Sequence, residues 1–300
     1  MSSVPSAPPS RDAHDQGRSG RSAAARPARS RLSRLAPRAG LLALLGLATT
    51  GCTPDNAFTR LGWPVPITAQ GKVALTLWQG SWIAAWIVGA VVWGMTIWAI
   101  IFHRKKRASG SAPPQQVRYN LPIEMLYTVV PFIMIGVLFF FTARDENYID
   151  KLSAHPDVTV IVTGYQWSWQ FQYPGYRVPG SPTGFVTMNG EPWSPEAGNS
   201  QLPVLVIPRD RTVRFNLVST DVIHAFWIVP FEFKRDVIPG HPNHFEVTPT
   251  RLGTWIGHCT ELCGLYHSRM LFRVKIVTPA QFSQWIHLQQ ALQQRAGGAQ

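Results

Sequence analysis

The chain has 300 residues, enough for one domain of ordinary size together with membrane and targeting segments. Its formal charge of +12 invites a nucleic-acid reading, but half of that excess sits in residues 1–51, where eight Arg face two Asp. That Arg tract has no interleaved aromatics and precedes an apolar run, and three Cys are too few for a disulfide-built secreted scaffold, so both classes are set aside.

Residues 1–40 are rich in Ser, Ala, Pro and Arg and cannot bury a core, so disorder is expected there. Leu41 to Ala48 is an apolar run of the length of a signal-peptide h-region, followed by Thr49-Thr50-Gly51-Cys52. Small residues ending in Gly-Cys resemble a bacterial lipoprotein cleavage site, with Cys52 as the lipidated first residue of the mature chain. Thr49 departs from that pattern, which prefers Leu, and ordinary cleavage nearby or an uncleaved apolar segment is the alternative. On this reading residues 1–51 are a basic segment and signal peptide, and residues 52–80 an extracytoplasmic N-terminal segment.

Ser81 to Phe102 carries no charge and, at about 1.5 Å per residue, spans the roughly 30 Å hydrocarbon core of a bilayer. A second transmembrane span is expected at Pro122 to Thr142, broken by Pro131 and carrying Glu124 near its start. Between them, in residues 103–121, lies His103-Arg104-Lys105-Lys106-Arg107, a basic cluster that the positive-inside rule assigns to the cytoplasm. The N-terminus and everything after about Asp145 then face outward. An ionisable group this close to a bilayer is costly unless functional or interfacial, so Glu124 is either a working carboxylate or a solvated one at a helix end. Trp82, Trp86, Trp93 and Trp98 read as lipid-facing or helix-packing groups.

After the second span, residues 143–290 change to short β-like runs separated by Pro, Gly and Asn. Val158 to Thr163, Val204 to Ile207, Thr212 to Leu217, His224 to Val229 and Leu271 to Val277 fit antiparallel strands of a sandwich or barrel. Tyr165, Trp167, Trp169, Phe171 and Tyr173 alternate and are expected on one face of a single strand, most of them as a buried aromatic ladder. Thr278-Pro279 opens a short terminal helix, and residues 291–300 read as a flexible tail.

The stretch that bears chemistry is Gly257 to Met270, which places Cys259, Glu261, Cys263, His267 and Met270 within a dozen residues. Structural zinc sites usually present Cys-x2-Cys pairs, and a thioether is a poor zinc ligand. Thiolate, imidazole and a weak Met are instead the donors of an electron-transfer copper site. Two thiolates in one loop can bridge two copper ions, each needing its own imidazole. His267 supplies one and His224, in Asp221-Val222-Ile223-His224-Ala225-Phe226-Trp227, is the best candidate for the other. A Cys259–Cys263 disulfide and a zinc loop are the alternatives.

The pattern Gly-x-Cys-x-Glu-x-Cys-Gly-x-x-His-x-x-Met after a His-Ala-Phe-Trp strand resembles the binuclear Cu(A) loop of cytochrome c oxidase subunit II, bacterial type, and the resemblance covers roughly Leu75 to Ile286. It implies a membrane-anchored all-β protein: two transmembrane helices in a hairpin followed by a cupredoxin-like Greek-key β-barrel. It also implies His224, Cys259, Cys263, His267 and Met270 as side-chain ligands of two copper ions, with the backbone carbonyl of Glu261 as a weak one. The Glu261 side chain would help hold Mg²⁺ at the interface with subunit I, and haem would reside only in that partner. Trp167 matches the position where a donor cytochrome c approaches, and Glu124 the carboxylate at the cytoplasmic mouth of a proton pathway into subunit I. The family more often has Gln where this chain has His258, a departure beside the site.

The implied function is electron entry from a cytochrome c into an O2-reducing, proton-translocating oxidase with subunit I and other subunits, in a bacterial cell membrane, with both ends outside. The aromatic stretch holds Gln170 and Gln172 and no carboxylate, so a soluble basic donor would be weakly steered; a membrane-tethered cytochrome c within a supercomplex is expected instead. A quinol oxidase subunit lacks the two thiolates. A nitrous oxide reductase, which shares the loop, is soluble and larger, and a copper-delivery protein would need an open, exchangeable ligand set.

Overall fold

The computed structural model describes residues 57–104 and 117–297. Cys52, the signal-type segment and Lys105 to Arg107 lie outside these residues. Two long helices come first, α1 at Ala69–Phe102 and α2 at Leu121–Ile149. Their lengths, about 51 Å and 44 Å, exceed the roughly 30 Å of hydrocarbon, so each extends beyond the apolar span. Both are apolar enough to cross a membrane, and their apolar windows are not covered by the rest of the chain.

The span expected from Ser81 is thus the larger part of a helix that starts twelve residues earlier, at Ala69. Thr68 caps it: its hydroxyl accepts from the Gly71 N–H at 2.9 Å. The expected break at Pro131 does not occur, and α2 runs through it unbroken, as apolar membrane helices tolerate. Asn120 and Glu124 form a reciprocal cap at the start of α2. The Asn120 amide oxygen accepts from Ile123 N–H, and the Glu124 carboxylate accepts from Asn120 N–H at 3.0 Å.

The rest is a two-sheet domain. Its strands are β1 (Val158–Tyr165), β2 (Ser168–Arg177), β3 (Phe185–Met188), β4 (Val204–Pro208), β5 (Val213–Ser219), β6 (His224–Ile228), β7 (Lys234–Val237), β8 (Asn243–Val247), β9 (Gly253–Cys259) and β10 (Leu271–Val277). One sheet has the order β3-β2-β1-β5-β8, the other β4-β10-β9-β6-β7. All the expected strands are present, but the sheets are mixed: β1 pairs with β5, and β4 with β10, in parallel. Between β1 and β5 in sequence, β2 and β3 extend the same sheet to its edge and β4 crosses to the edge of the other sheet, which supplies the crossover that a parallel pair needs. This is the cupredoxin-like architecture.

Side chains alternate in and out along β1, β2 and β5, and the inward rows meet in an aromatic core. Trp169, Phe171, Phe215, Phe226 and Phe272 are fully or almost fully buried, with Phe226 and Phe272 stacked 4.7 Å apart at 12°. Tyr173 links the sheets: its buried hydroxyl donates to the Val206 carbonyl at 2.9 Å and accepts from the Val206 N–H at 3.0 Å. It thereby satisfies the backbone of β4, an edge strand that would otherwise bury unpaired polar groups.

The aromatic stretch is not one strand. β1 ends at Tyr165, Gln166 and Trp167 form a turn, and β2 starts at Ser168 with Tyr165 opposite it. Only Trp169, Phe171 and Tyr173 share the buried face, because the turn resets the alternation.

The C-terminal helix α3 spans Pro279–Gly297, so most of the expected tail is helical. The Gln293 amide accepts from Thr187 N–H at 3.0 Å and donates to the Thr187 carbonyl at 2.9 Å, covering the edge strand β3.

The helices and the β domain are joined at several backbone positions. Ile67 N–H donates to the Pro230 carbonyl, Ala69 N–H to the Thr248 carbonyl and Thr250 N–H to the Ile67 carbonyl. At the end of α2, Asp150 pairs with Arg235. A little further on, Ser153 meets the buried Glu246, which also pairs with Arg214.

Candidate metal centre

β6 and β9 are neighbours, and Phe226 pairs with Cys259, so His224, two residues before Phe226, sits diagonally across from Cys259 at the same end of the sheet. His224 opens β6 and Cys259 closes β9. The segment 260–270 then folds back into β10 and brings Cys263, His267 and Met270 to the same place.

The two sulfurs are 3.8 Å apart. That is well beyond a bonded pair at about 2.05 Å, and both cysteines are free, which removes the disulfide alternative. Each sulfur has its own imidazole: His224 Nδ1 lies 3.8 Å from Cys259 Sγ, and His267 Nδ1 lies 3.5 Å from Cys263 Sγ. Met270 Sδ is 3.6 Å from Cys263 Sγ, and the Glu261 carbonyl oxygen is 3.3 Å from Cys259 Sγ. His224, Cys259, Cys263 and Met270 are buried, His267 is half-buried, and the Glu261 side chain is exposed. The donor atoms of His224, Cys259 and Cys263 fall within 4.8 Å of one another, a group able to hold a metal. Six donors exceed what one tetrahedral zinc takes, and sulfur with imidazole is the chemistry copper prefers, so the set fits two soft ions.

Burial disfavours the Cys259 thiolate, but hydrogen bonding with His224 and backbone groups outweighs it, and the thiol falls below its ordinary value. Cys263 is pushed up to about 12, by burial and then by the charge of Cys259. The two sulfurs are therefore inequivalent, and a bound metal would favour the thiolate form of both.

Two residues that sequence reasoning gave no role complete the site. Asp221 Oδ1 lies 2.8 Å from His224 Nε2, fixing the ring so that Nδ1 faces the sulfurs. Burial works against the Asp221 carboxylate, but its bonds to His224 and to the Gln166 and Val222 N–H groups hold it below the usual range. Gln166 donates its side-chain amide to the Cys263 carbonyl at 2.7 Å, and Trp167 Nε1 donates to the same oxygen at 3.1 Å. Gly264 permits that approach at φ +116°: a Cβ there would lie 3.2 Å from both donor nitrogens. Trp167 also meets Tyr266 edge-on at 5.0 Å. The only signals available in the sequence were the three-residue Asp221–His224 spacing and the position of Gln166 beside Trp167.

His258 does not join the centre. It lies on the opposite face of β9 from Cys259, beside Trp227, and forms no hydrogen bond to a candidate ligand among the described residues. Burial lowers its pKa. Glu124 is at the far end of α2 in the cap described above.

Fold and centre together define a cupredoxin-like domain on a two-helix anchor, carrying a sulfur-rich metal site. Residues 158–277 match the family described as cytochrome c oxidase subunit II, periplasmic domain. The probable cytochrome c oxidase subunit 2 of Streptomyces avermitilis is 50% identical over 269 residues, covering 81% of this chain and 83% of its own. Cytochrome c oxidase subunit 2 of Mycobacterium bovis is 34% identical over 301 residues, covering 86% and 81%. A crystal structure of the periplasmic domain of subunit II of cytochrome oxidase of Bradyrhizobium japonicum aligns at 27% identity with a TM-score of 0.40, covering 47% of this chain and 98% of that one. The chain belongs to the cytochrome c oxidase subunit 2 family. Membership implies copper of the Cu(A) type.

Proposed function

We propose that this chain is the electron-entry subunit of a respiratory cytochrome c oxidase. It accepts single electrons from a cytochrome c and passes them to the haem–copper O2-reducing site of subunit I, in a reaction coupled to proton translocation. The observation that carries this reading is the pair of free thiols 3.8 Å apart, each beside its own imidazole. His224, Cys259, Cys263, His267 and Met270 hold the metal through side chains and Glu261 through its carbonyl. Two copper ions bound there supply one-electron redox chemistry. The strand ends that carry His224 and Cys259, and the loop that folds back into β10, keep the donors in place between oxidation states.

Trp167 is the entry point, because its indole touches the carbonyl of Cys263 directly and its ring is half-exposed. Leu262 and Leu265 are exposed on the same loop, and Arg269 lies over Tyr266. That apolar, weakly basic surface favours a membrane-tethered donor over a soluble basic cytochrome c. In the assembled oxidase, Trp167→Ala is expected to slow electron entry while copper content stays unchanged. Oxidation of a soluble basic cytochrome c is expected to lack a steep maximum at low ionic strength. Copper loss in the variant would reassign Trp167 to the core, and a steep salt dependence would remove the tethered donor.

The Glu261 carboxylate is exposed and free to help hold Mg²⁺ against subunit I. Glu124 marks the cytoplasmic mouth of a proton pathway; its carboxylate lies at the end of α2 remote from the β domain. The start of α1 and the end of α2 both meet that domain, which supports an extracytoplasmic β domain in a bacterial cell membrane with the basic cluster on the other side. Cys52 is the lipidated first residue of the mature chain. Mass spectrometry of the mature N-terminus is expected to show diacylglyceryl-Cys52, and an unmodified N-terminus at another residue overturns this.

A further inference from the structure

The joint between α1 and the β domain has a carboxyl group buried in it. β6 runs into the 3-10 turn Val229–Phe231, and Glu232 closes that turn in a left-handed conformation at φ +73°, its N–H returning to the Val229 carbonyl at 3.1 Å. The first turn of α1 is seated directly on it. A Cβ on Gly71 would fall 2.8 Å from Glu232 Cγ and 3.0 Å from the Phe231 carbonyl oxygen, so a larger residue there would push the helix off the turn. The same level is held by backbone bonds from Ile67 N–H to the Pro230 carbonyl at 3.0 Å and from Thr250 N–H to the Ile67 carbonyl at 2.7 Å. Gln70 adds a side-chain bond, accepting from Thr248 N–H at 3.0 Å.

Both carboxyl oxygens of Glu232 are buried and have no hydrogen-bond partner among the described residues. An ionised carboxylate in that position has neither water nor donors, a penalty that the neutral acid largely escapes. Burial accordingly pushes the group up to about 8, with the Arg60 charge pulling the other way.

The other charges at the joint face water or are engaged elsewhere. Arg60, buried in the segment before α1, donates its Nε to the Trp63 carbonyl at 3.1 Å. Lys72, next to Gly71 on α1, and Arg251, beyond β8, are exposed. On β7, Lys234 is exposed and Arg235 pairs with Asp150 of α2. Further along the same end of α2, Asp145 pairs with Arg144, and Glu146 is exposed.

We propose that Glu232 is a proton-operated fastening: its neutral form lets α1 seat on the β domain, and loss of its proton to water loosens the first turn of the helix. Opening the joint returns Glu232 to water and to an ordinary carboxyl, so the closed joint is the state that holds the extra proton. Closure is therefore favoured most in acid, weakens as pH rises above the ordinary carboxyl range, and levels off above about 8. The proposal rests on the packing of the joint and is independent of the copper centre.

Hydrogen exchange of the intact purified oxidase, followed by mass spectrometry between about pH 5 and pH 9 and corrected for intrinsic exchange rates, tests it. Protection of the peptides holding Ile67, Ala69 and Thr250 is expected to fall by close to tenfold per pH unit up to about 8 and then to flatten. Protection in β1 and β5 should not follow it. In Glu232→Gln and Glu232→Leu the joint is expected to lose this slope, whatever its level of protection, and copper content and subunit composition report whether the variants assemble. If neither assembles, the wild-type slope and its confinement to the joint decide. A flat wild-type profile, a fall shared by β1 and β5, or a slope that survives in an assembled variant overturns the proposal.

Discussion

Replacing Cys263 by serine is expected to abolish the two-copper signature while leaving the domain folded. Cys263 Sγ is the hub of the candidate centre, with Cys259, His267 and Met270 sulfur or nitrogen atoms 3.5–3.8 Å away. A serine oxygen is harder, sits closer to its Cα, and stays protonated at neutral pH, so it would not replace a thiolate donor to copper. Loss of partners one shell out from a metal typically costs about 10- to 100-fold, and loss of a direct donor is expected at or beyond the upper figure. The change in buried volume is small, so stability should move by only about 1 kcal/mol. Metal analysis and electron paramagnetic resonance of the assembled oxidase check this. Cytochrome c-driven O2 uptake should collapse with the signal. A retained spectrum delocalised over two coppers would refute the ligand assignment.

Trp169→Ala is expected to do the opposite of Trp167→Ala, although the two positions are separated by one residue. Trp169 is fully buried, packs edge-on against Phe226 and Phe272 at 5.5 Å, and lies 6.0 Å from the His224 ring. Removing an indole from such a site costs roughly 3–5 kcal/mol. That is a large fraction of the roughly 5–15 kcal/mol that holds a domain together. Thermal unfolding followed by circular dichroism should shift down by on the order of 10 °C. Copper content should fall as well, because the cavity opens beside His224. A variant with wild-type melting and slowed electron entry would mean that the two tryptophans had been assigned to each other's roles.

The contrast shows where sequence reasoning was strong and where it failed. Cys259, Cys263, His267 and Met270 were legible because a single loop brings them together, and local spacing carries local chemistry. Asp221 and Gln166 were not, since they act on each other across 55 residues and Gln166 reaches the Cys263 carbonyl across 97. Such contacts exist only once the strands have paired. The aromatic row misled because a period of two says nothing about a two-residue turn inside it. Apolar content located the membrane spans but not the ends of the helices, because the first turns of α1 pack on the domain and need no continuous apolar face. The C-terminal segment is rich in Gln, Ala and Leu, good helix formers, and Gln293 gives that helix a strand edge to bind.

The backbone bonds that tie Ile67, Ala69 and Thr250 into one joint fasten the β domain directly to the first turn of α1. With α1 and α2 in a bilayer as proposed, the height of the domain above the lipid follows from that joint. On the proposed function, the carrier that delivers electrons would then do the travelling, and the distance onward to an embedded acceptor would be set when the subunits assemble.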